Sequence, residues 1–411
     1  MIGWPTMKIG DLVESGDADL QTGPFGTQLR ASDYVDEGTP VVNLRKVGFG
    51  EVRAKDVEYL GEAMVQKLSA HVLETGDIVF GRKGAVERHA LIKDETSGWV
   101  QGSDCLRLRV TGDQVRREFL SYYFRTKSHQ HWMEAVCSFG ATMSSLNQDI
   151  VKRIEFPAPC MDIQKKIVGV LATYDDKIAN NQSRIVSLRR FNAELYREWF
   201  VRKRFPAHNQ TTFVKGVPTD WKVTKLKEVL ELCYGKALKA SEREGGDIPV
   251  YGSGGIVGFH DRALVDTPGI IVGRKGNVGS VYFSDKPFYA IDTVYFVKSQ
   301  LSNAFLFFLL QSMNFINNDA AVPGLNRNQA YSNQFFLPPA KLIDEFTEIA
   351  ESTMKNATSL EKQNDRLRHT RDLLLGRLIS GKLSLETVSI DYPPSMSRSH
   401  LAVNEKELVH A

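Results

Sequence analysis

Between residues 167 and 199, apolar or core-type side chains recur at steps that alternate four and three: Ile167, Leu171, Tyr174, Ile178, Asn181, Ile185, Leu188, Asn192, Leu195 and Trp199. This is a heptad seam, and it predicts one long helix with a single partner face. Shifted by 179 positions, the spacing returns at Phe346, Ala350, Thr353, Ala357, Leu360, Asn364, Leu367, Arg371, Leu374 and Leu378, with weaker apolar character. Prolines at 157 and 159, and again at 338 and 339, mark where each helical region begins. Asn181, Asn192 and Asn364 fall on the seam. There a polar residue either fixes register at a cost in stability or sits at a splayed, solvated end.

Upstream of each helix the pattern changes. Short β-like runs ("DIVFG" and "CLRLRV" in one half, "GIIVG" and "TVYFV" in the other) are separated by Gly, Pro and Asp turn signals. A helical stretch follows in each half, "REFLSYYFRTKSHQHWMEAV" and "NAFLFFLLQSMNFI".

The halves are copies of one unit. "ETGDIVFGRKGAV" and "DTPGIIVGRKGNV" share seven of thirteen positions at an offset of 192. "WPTMKIGDLVE" resembles "WKVTKLKEVLE", "QGSDCLRLRV" resembles "YAIDTVYFVK", and "SLNQDIVKRIEFPAP" parallels "GLNRNQAYSNQFFLPPA". The offset shrinks from 217 to 179 along the chain, as loop deletions in a diverged duplication would make it. If the second helix runs back along the first, the two pair antiparallel. The expected fold is α+β: two similar mixed α/β domains joined by two long antiparallel coiled-coil helices, in a pseudo-twofold arrangement. Roughly 35 helical residues make a rod of about 50 Å, which would hold the two domains a fixed distance apart. The expected boundaries are 1–157 and 205–338 for the two domains, 158–204 and 339–386 for the helical regions, and 387–411 for a loosely ordered, flexible tail.

Composition adds bounds. The chain has 411 residues, 42% hydrophobic and 25% charged, which suits two or three ordinary globular domains. A net charge of +3 permits a nucleic-acid partner only if basic residues are concentrated locally. Ten Lys/Arg face five Asp/Glu over 158–204, while 339–386 has eight of each. Within the first stretch, Arg197, Arg202, Lys203 and Arg204 fit either a helix carboxyl end or a contact with DNA or a partner. No run of eighteen apolar residues is present, and the amino terminus does not read as a secretory leader, so a cytoplasmic location is expected. Cys105, Cys137, Cys160 and Cys233 form no C-x-x-C pair and are expected to be reduced, buried thiols.

Candidate chemistry is that of a binder. No H-E-x-x-H, G-x-S-x-G or G-x-x-x-x-G-K-[ST] motif occurs, so no catalytic residues and no metal site are expected. "DYPP" near the end holds the letters of an adenine-methyltransferase motif in scrambled order and is discounted. The spacing in "YGSGGIVGFH" is wrong for a dinucleotide site and better suits a flexible loop that approaches a ligand. The duplicated GRKG turn offers Arg82, Lys83, Arg274 and Lys275 as donors to phosphate or guanine edges, with Tyr251, Ser253 and Asn277 as further candidates. Equally, the basic pairs could be solvated turn tips.

Taken in order, "TGPFGTQLRASDY", "GDIVFGRKGAV", "SLNQDIVKRIEFPAP" before "DIQKKIVGVL", "IPVYGSGGIVGFH", "IIVGRKGNVG", "FYAIDTVYFV" and "LLLGRLISGKL" closely resemble the specificity subunit of type I restriction–modification systems. The resemblance covers almost all of residues 4–386. It implies a non-catalytic, sequence-specific DNA-binding subunit of a DNA adenine methyltransferase/endonuclease complex. Each target-recognition domain would read one half of a bipartite double-stranded DNA sequence. The helices would set the spacer and dock two modification (methyltransferase) subunits, with restriction/translocase subunits added. S-adenosylmethionine, ATP and Mg would sit on those partners and none on this chain. Two departures stand out: the second half shows no clean counterpart of "GPFGTQLRASDY", and the first shows none of "YGSGG". The alternatives are a specificity subunit of a type IIB-like methyltransferase–nuclease, or a coiled-coil adaptor that does not bind DNA.

Overall fold

In the computed structural model, which describes residues 4–138, 145–243, 245–313, 315 and 324–396, the apolar runs become the central strands of two sheets with the same order. One compact unit is formed by Met1–Asn180 with Gln363–Ala411, and the other by Asn181–Lys362. The first unit is therefore discontinuous in sequence, and the second is one uninterrupted segment.

In the first unit, Cys105–Val110 lies between Ala18–Thr22 and Ile78–Gly81, and His89–Leu91 extends the sheet. In the second, Val294–Ser299 lies between Leu230–Tyr234 and Gly269–Gly273, and Val281–Ser284 extends it. These neighbours are all antiparallel. The register repeats too: Leu106 opposes Thr22 and Phe80, and Tyr295 opposes Tyr234 and Val272. A second small sheet also recurs. Thr39–Val42 pairs parallel to Val100–Gln101, and Ile248–Gly252 pairs parallel to Tyr289–Ala290. Ile78–Gly81 and Gly269–Gly273 are buried along their whole length, on both faces, which explains their unbroken apolar sequence.

The helical stretch read as 117–136 is two helices, Arg117–Phe124 and Lys127–Ser138. The break falls at Arg125–Thr126, where the Thr126 hydroxyl bonds back to the Tyr123 carbonyl and competes with the helix ladder. Its second-unit counterpart, among the described residues, is the helix Asn303–Ser312, capped by Ser302.

The heptad pattern yields two long helices, Met161–Tyr196 and Ala340–Ile379, and a π-turn at Arg197–Val201 continues the first. In the first unit, Ile167 and Leu171 pack with Leu375 and Leu378 against Phe119 and Tyr122. There Lys166 donates to the carbonyls of Leu385 and Glu386, Asp175 pairs with Arg371, and Asn364 donates to the Ile178 carbonyl. Residue numbers rise on one helix as they fall on the other, so the segments run in opposite directions. In the second unit, Ile185 packs with Ala357, Leu360 and Leu188, and Tyr196 and Trp199 join Phe305, Phe308, Phe346 and Ala350. Each seam position is buried or half-buried, including Tyr174, Ile178, Leu195, Leu367 and Leu374.

The seam asparagines are buried and not at a solvated end. Asn192 Nδ2 donates to the Ala350 carbonyl at 3.2 Å, and its Oδ1 accepts from the Thr353 hydroxyl. Asn192→Ala is expected to lower the stability of the second unit by about 1–2 kcal/mol, since a buried polar pair is broken. Thr353→Ala in the Asn192→Ala background should then cost less than it does alone. A double-mutant cycle on urea midpoints checks this, and strict additivity would show that the pair is not coupled.

The stretch after the second helix is packed as far as it is described. Met396 is buried with Ile167 and Leu375, Ile390 packs beside them, and the Tyr392 ring covers Gly169 beneath the Lys165 ammonium. Residues 397–411 of the expected tail lie outside the described residues. No described helix is long and apolar enough to cross a membrane. Two of the four thiols depart from the expected burial: Cys160 is exposed and Cys233 half-exposed, because they lie at a helix start and on an edge strand. Burial pushes the Cys105 thiol up to about 12 and the Cys137 thiol up to about 11.

Candidate nucleic-acid interface

The GRKG sequence is built identically in both units. The strand Ile78–Gly81 ends in a turn whose Gly84 has φ +69°, and Gly269–Gly273 ends in one whose Gly276 has φ +77°. Only glycine adopts such backbone without strain. Each turn is gripped by two neighbouring segments. The Arg82 amide donates to the Asp104 carbonyl (2.9 Å), and its carbonyl accepts from the Leu146 amide (2.8 Å). The Arg274 amide donates to the Thr293 carbonyl (2.9 Å), and its carbonyl accepts from the Leu325 amide (2.8 Å). Leu146 and Leu325 are core residues of "SLN" and "GLN". The asparagines that follow them, Asn147 and Asn326, cap short helices with their side chains. The turn and its clasp thus form one duplicated device.

The side chains differ in what they touch. Arg82 Nε reaches the Leu146 carbonyl at 3.4 Å, and Lys83 pairs with Asp104 at 2.9 Å. Such a half-exposed pair contributes little to stability, but it partly neutralises the turn. In the second unit Arg274 Nη1 donates to the Asp292 carbonyl at 3.2 Å, and its guanidinium lies 4.9 Å from the centre of the Tyr234 ring. Lys275 and Asn277 are exposed at the tip, and Lys275 forms no ion pair among the described residues.

Ser253 and Asn277 are brought to this turn. The Ser253 carbonyl accepts from the Ser280 and Tyr282 hydroxyls, and a Cβ at Gly276 would lie 3.0 Å from Ser253 Oγ. The glycine hairpin Gly252–Gly255 therefore abuts the basic turn, so Arg274, Lys275, Asn277 and Ser253 form one group. Tyr251 does not belong with them. It is only 7% exposed and packs edge-on against Phe288, among Ile271 and Val294. Burial pushes its phenol up, and it is a core residue and not a contact. The reason is that the strand Ile248–Gly252 is buried on both faces from Pro249 onward, so Tyr251 enters the core together with Val250.

The basic run at the end of the first long helix is engaged internally. Arg197 pairs with Glu194, Arg202 with Glu194 and Glu198, and Arg204 with Glu198. Lys203 donates to the Gly216 carbonyl and lies 5.2 Å from the Phe336 ring centre. Among the described residues no group of three or more His, Cys, Asp or Glu could hold a metal ion.

The first of the two departures seen in the sequence disappears in the fold. "LRASD" at 29–33 and "LKASE" at 238–242 form the same single-turn helix, with Asp33 and Glu242 accepting from the Arg30 and Lys239 amides. The glycines before them, Gly23 and Gly235, donate to the Cys105 and Val294 carbonyls. "TPVVN" likewise occupies the place of "IPVYG". What differs is the connection that follows. In the first unit residues 43–57 separate that strand from its antiparallel partner Glu58–Leu60, whereas a tight hairpin does so in the second.

Sequence reasoning also passed over Tyr234 and Arg327. Arg327 lies 5.1 Å from the Tyr234 ring centre, and the ring is half-exposed. Their alignment with Thr22 and Gln148 becomes legible once "YGKALKAS" is set against "TGPFGTQLRAS" and "GLNR" against "SLNQ".

A family model described as the type I restriction modification DNA specificity domain matches residues 1–190 and 218–358. The chain belongs to this family. The specificity subunit of a type I restriction enzyme from Methanocaldococcus jannaschii is 24% identical over 362 residues, which is 79% of this chain and 82% of the relative. A putative type I specificity subunit from Mycoplasma pneumoniae is 21% identical over 249 residues, 58% of this chain and 64% of the relative. The crystal structure of a type I S subunit from M. genitalium superposes with a TM-score of 0.56 at 19% identity, covering 92% of this chain and 96% of that one. That likeness extends the shared architecture to nearly the whole specificity subunit. As such a subunit, the chain is a non-catalytic component of its system.

Proposed function

We propose that this specificity subunit confers sequence recognition on a type I restriction–modification complex, each mixed domain reading one half of a bipartite DNA target. The observation that carries this reading is the duplicated basic turn. The same clasp holds Arg82–Lys83 in one domain and Arg274–Lys275 in the other, while the surrounding loops have diverged. A constant frame with different loops is what two different half-sites require: phosphate contacts position each domain and base contacts specify. The long helices act as an antiparallel coiled coil that sets the spacer and docks two modification subunits, and the opposed packing of their segments within each unit supports this. Restriction/translocase subunits complete the assembly, S-adenosylmethionine, ATP and Mg reside on the partners, and the complex works in the cytoplasm.

Long-read mapping of adenine methylation, with and without this chain, tests the reading. Loss of one two-part motif on deletion is expected. An unchanged methylome under expressing conditions would refute it.

A further inference from the structure

The two basic turns are not electrostatically equal. Beside the first turn, Gln148 Nε2 donates to the Thr22 hydroxyl and to the Leu20 carbonyl, each at 3.2 Å, and Lys83 is paired with Asp104. Beside the second turn, the same two positions are Arg327 and Tyr234. The Arg274 and Arg327 guanidiniums lie 4.9 and 5.1 Å from the centre of the Tyr234 ring, which is 49% exposed. None of Arg274, Lys275 and Arg327 forms an ion pair among the described residues. Two guanidiniums thus gather on one accessible ring, Lys275 is exposed on the same turn as Arg274, and none of the three is held by a carboxylate. Stacking on a ring orders a guanidinium in advance while leaving its N–H edge free to donate, so less side-chain freedom is lost when an anion arrives.

We propose that Tyr234, Arg274 and Arg327, with Lys275, form a phosphodiester-binding cluster peculiar to the second domain. This domain is then the electrostatic anchor of the subunit on DNA, and the first domain docks with a more neutral face. The inference rests on the DNA-recognition reading above and adds to it an asymmetry between the two domains. Tyr234 acts here as a positioning residue: its ring holds the two guanidiniums, and they make the contact.

The test uses the subunit assembled with its modification subunits and a duplex carrying the methylated target, with affinity measured over a range of salt concentrations. Arg327→Gln, and Tyr234→Thr combined with Arg327→Gln, install the pair that the first domain already accommodates. Lys275→Gln alters only an exposed tip. Each variant is expected to bind about tenfold more weakly, as removal of a charged hydrogen bond implies. The slope of log K against log salt should shrink by about 0.9 for each phosphate that is no longer bound. The weakening should be equal for the target and for duplexes altered in either half-site. Unchanged affinity and slope in folded variants would overturn the cluster, and a weakening confined to one base pair would overturn the phosphate assignment in favour of a guanine edge. Failure of the unaltered complex to select any DNA would instead overturn the parent reading, and this one with it.

Discussion

Alanine at Asp175 is expected to destabilise the first unit by about 3 kcal/mol, the cost of breaking a largely buried ion cluster by removing one member. The carboxylate ties three elements together. It accepts from the Tyr122 hydroxyl at 2.9 Å and from Arg125 at 3.0 Å, both at the end of the recognition-domain helix, and from Arg371 of the second long helix at 2.6 Å. Without it, two guanidiniums face each other in a largely buried site. A lowered urea midpoint at neutral pH measures the effect. The second unit has Met354 and Asn192 at the equivalent positions, so its own unfolding should not change. The pH dependence carries a definite sign. Burial pushes the Asp175 carboxyl up, but Arg125 and Arg371 outweigh it and hold the group below its ordinary value of 3.8. The cluster therefore contributes fully above that pH, and its contribution is lost as pH falls through the lower folded value. Asp175→Asn should remove this limb of the acid profile. An acid limb identical to that of the unaltered protein would show that the carboxylate is not ionised in the fold.

Gly235→Ala is expected to cost the second unit about 3 kcal/mol, at the upper end of overpacking penalties. A Cβ there would lie 2.0 Å from the Ile291 carbonyl oxygen and 2.6 Å from that of Ala290. A backbone oxygen cannot rotate aside as a side-chain tip can. Here the strand end must move, and with it the amides of Gly235 and Lys236, which donate to the Val294 and Ala290 carbonyls. Gly23→Ala should do the same to the first unit, because its Cβ would meet the Gly102 oxygen at 2.0 Å. Gly16→Ala is the useful contrast. That residue has φ +83° with nothing nearby, so only conformational strain of about 1 kcal/mol applies. Hydrogen exchange of the Val294–Ser299 amides reports the first of these effects directly. Protection equal to that of the unaltered protein would mean the strand end yields without cost.

The frame of both domains was legible because hydrophobic spacing records it: 3.5-residue steps for the helices and short apolar runs for the central strands. The glycine turn was legible because only glycine permits its backbone. Other features were not. Tyr251 reads as a contact in sequence because the glycine-rich stretch that follows it hides that its strand is buried on both faces. The break at Arg125–Thr126 depends on one hydroxyl turning back onto a carbonyl, which periodicity does not encode. The fate of the basic run from Arg197 to Arg204 depended on where Glu194 and Glu198 lie once the π-turn has rotated the helix end. Tyr234 and Arg327 lie far apart in the chain, and only the register of Leu230–Tyr234 beside Val294–Ser299, with the clasp at Leu325, brings their side chains together.

The discontinuity of the first unit has a consequence for biosynthesis. Its recognition domain leaves the ribosome first, yet its helical layer lacks Leu375, Leu378 and Arg371 until the last part of the chain has been made. The second unit is one uninterrupted segment, and the partners given above for Asn192, Ile185 and Tyr196 all lie within it. Domains generally complete as units when their residues are available, so the half translated second is able to close first. Phe119, Tyr122 and Asp175 meanwhile wait for their cover. A chain ended at Lys362 and released from the ribosome should therefore present a protease-resistant second half joined to a first half that is still open along one face.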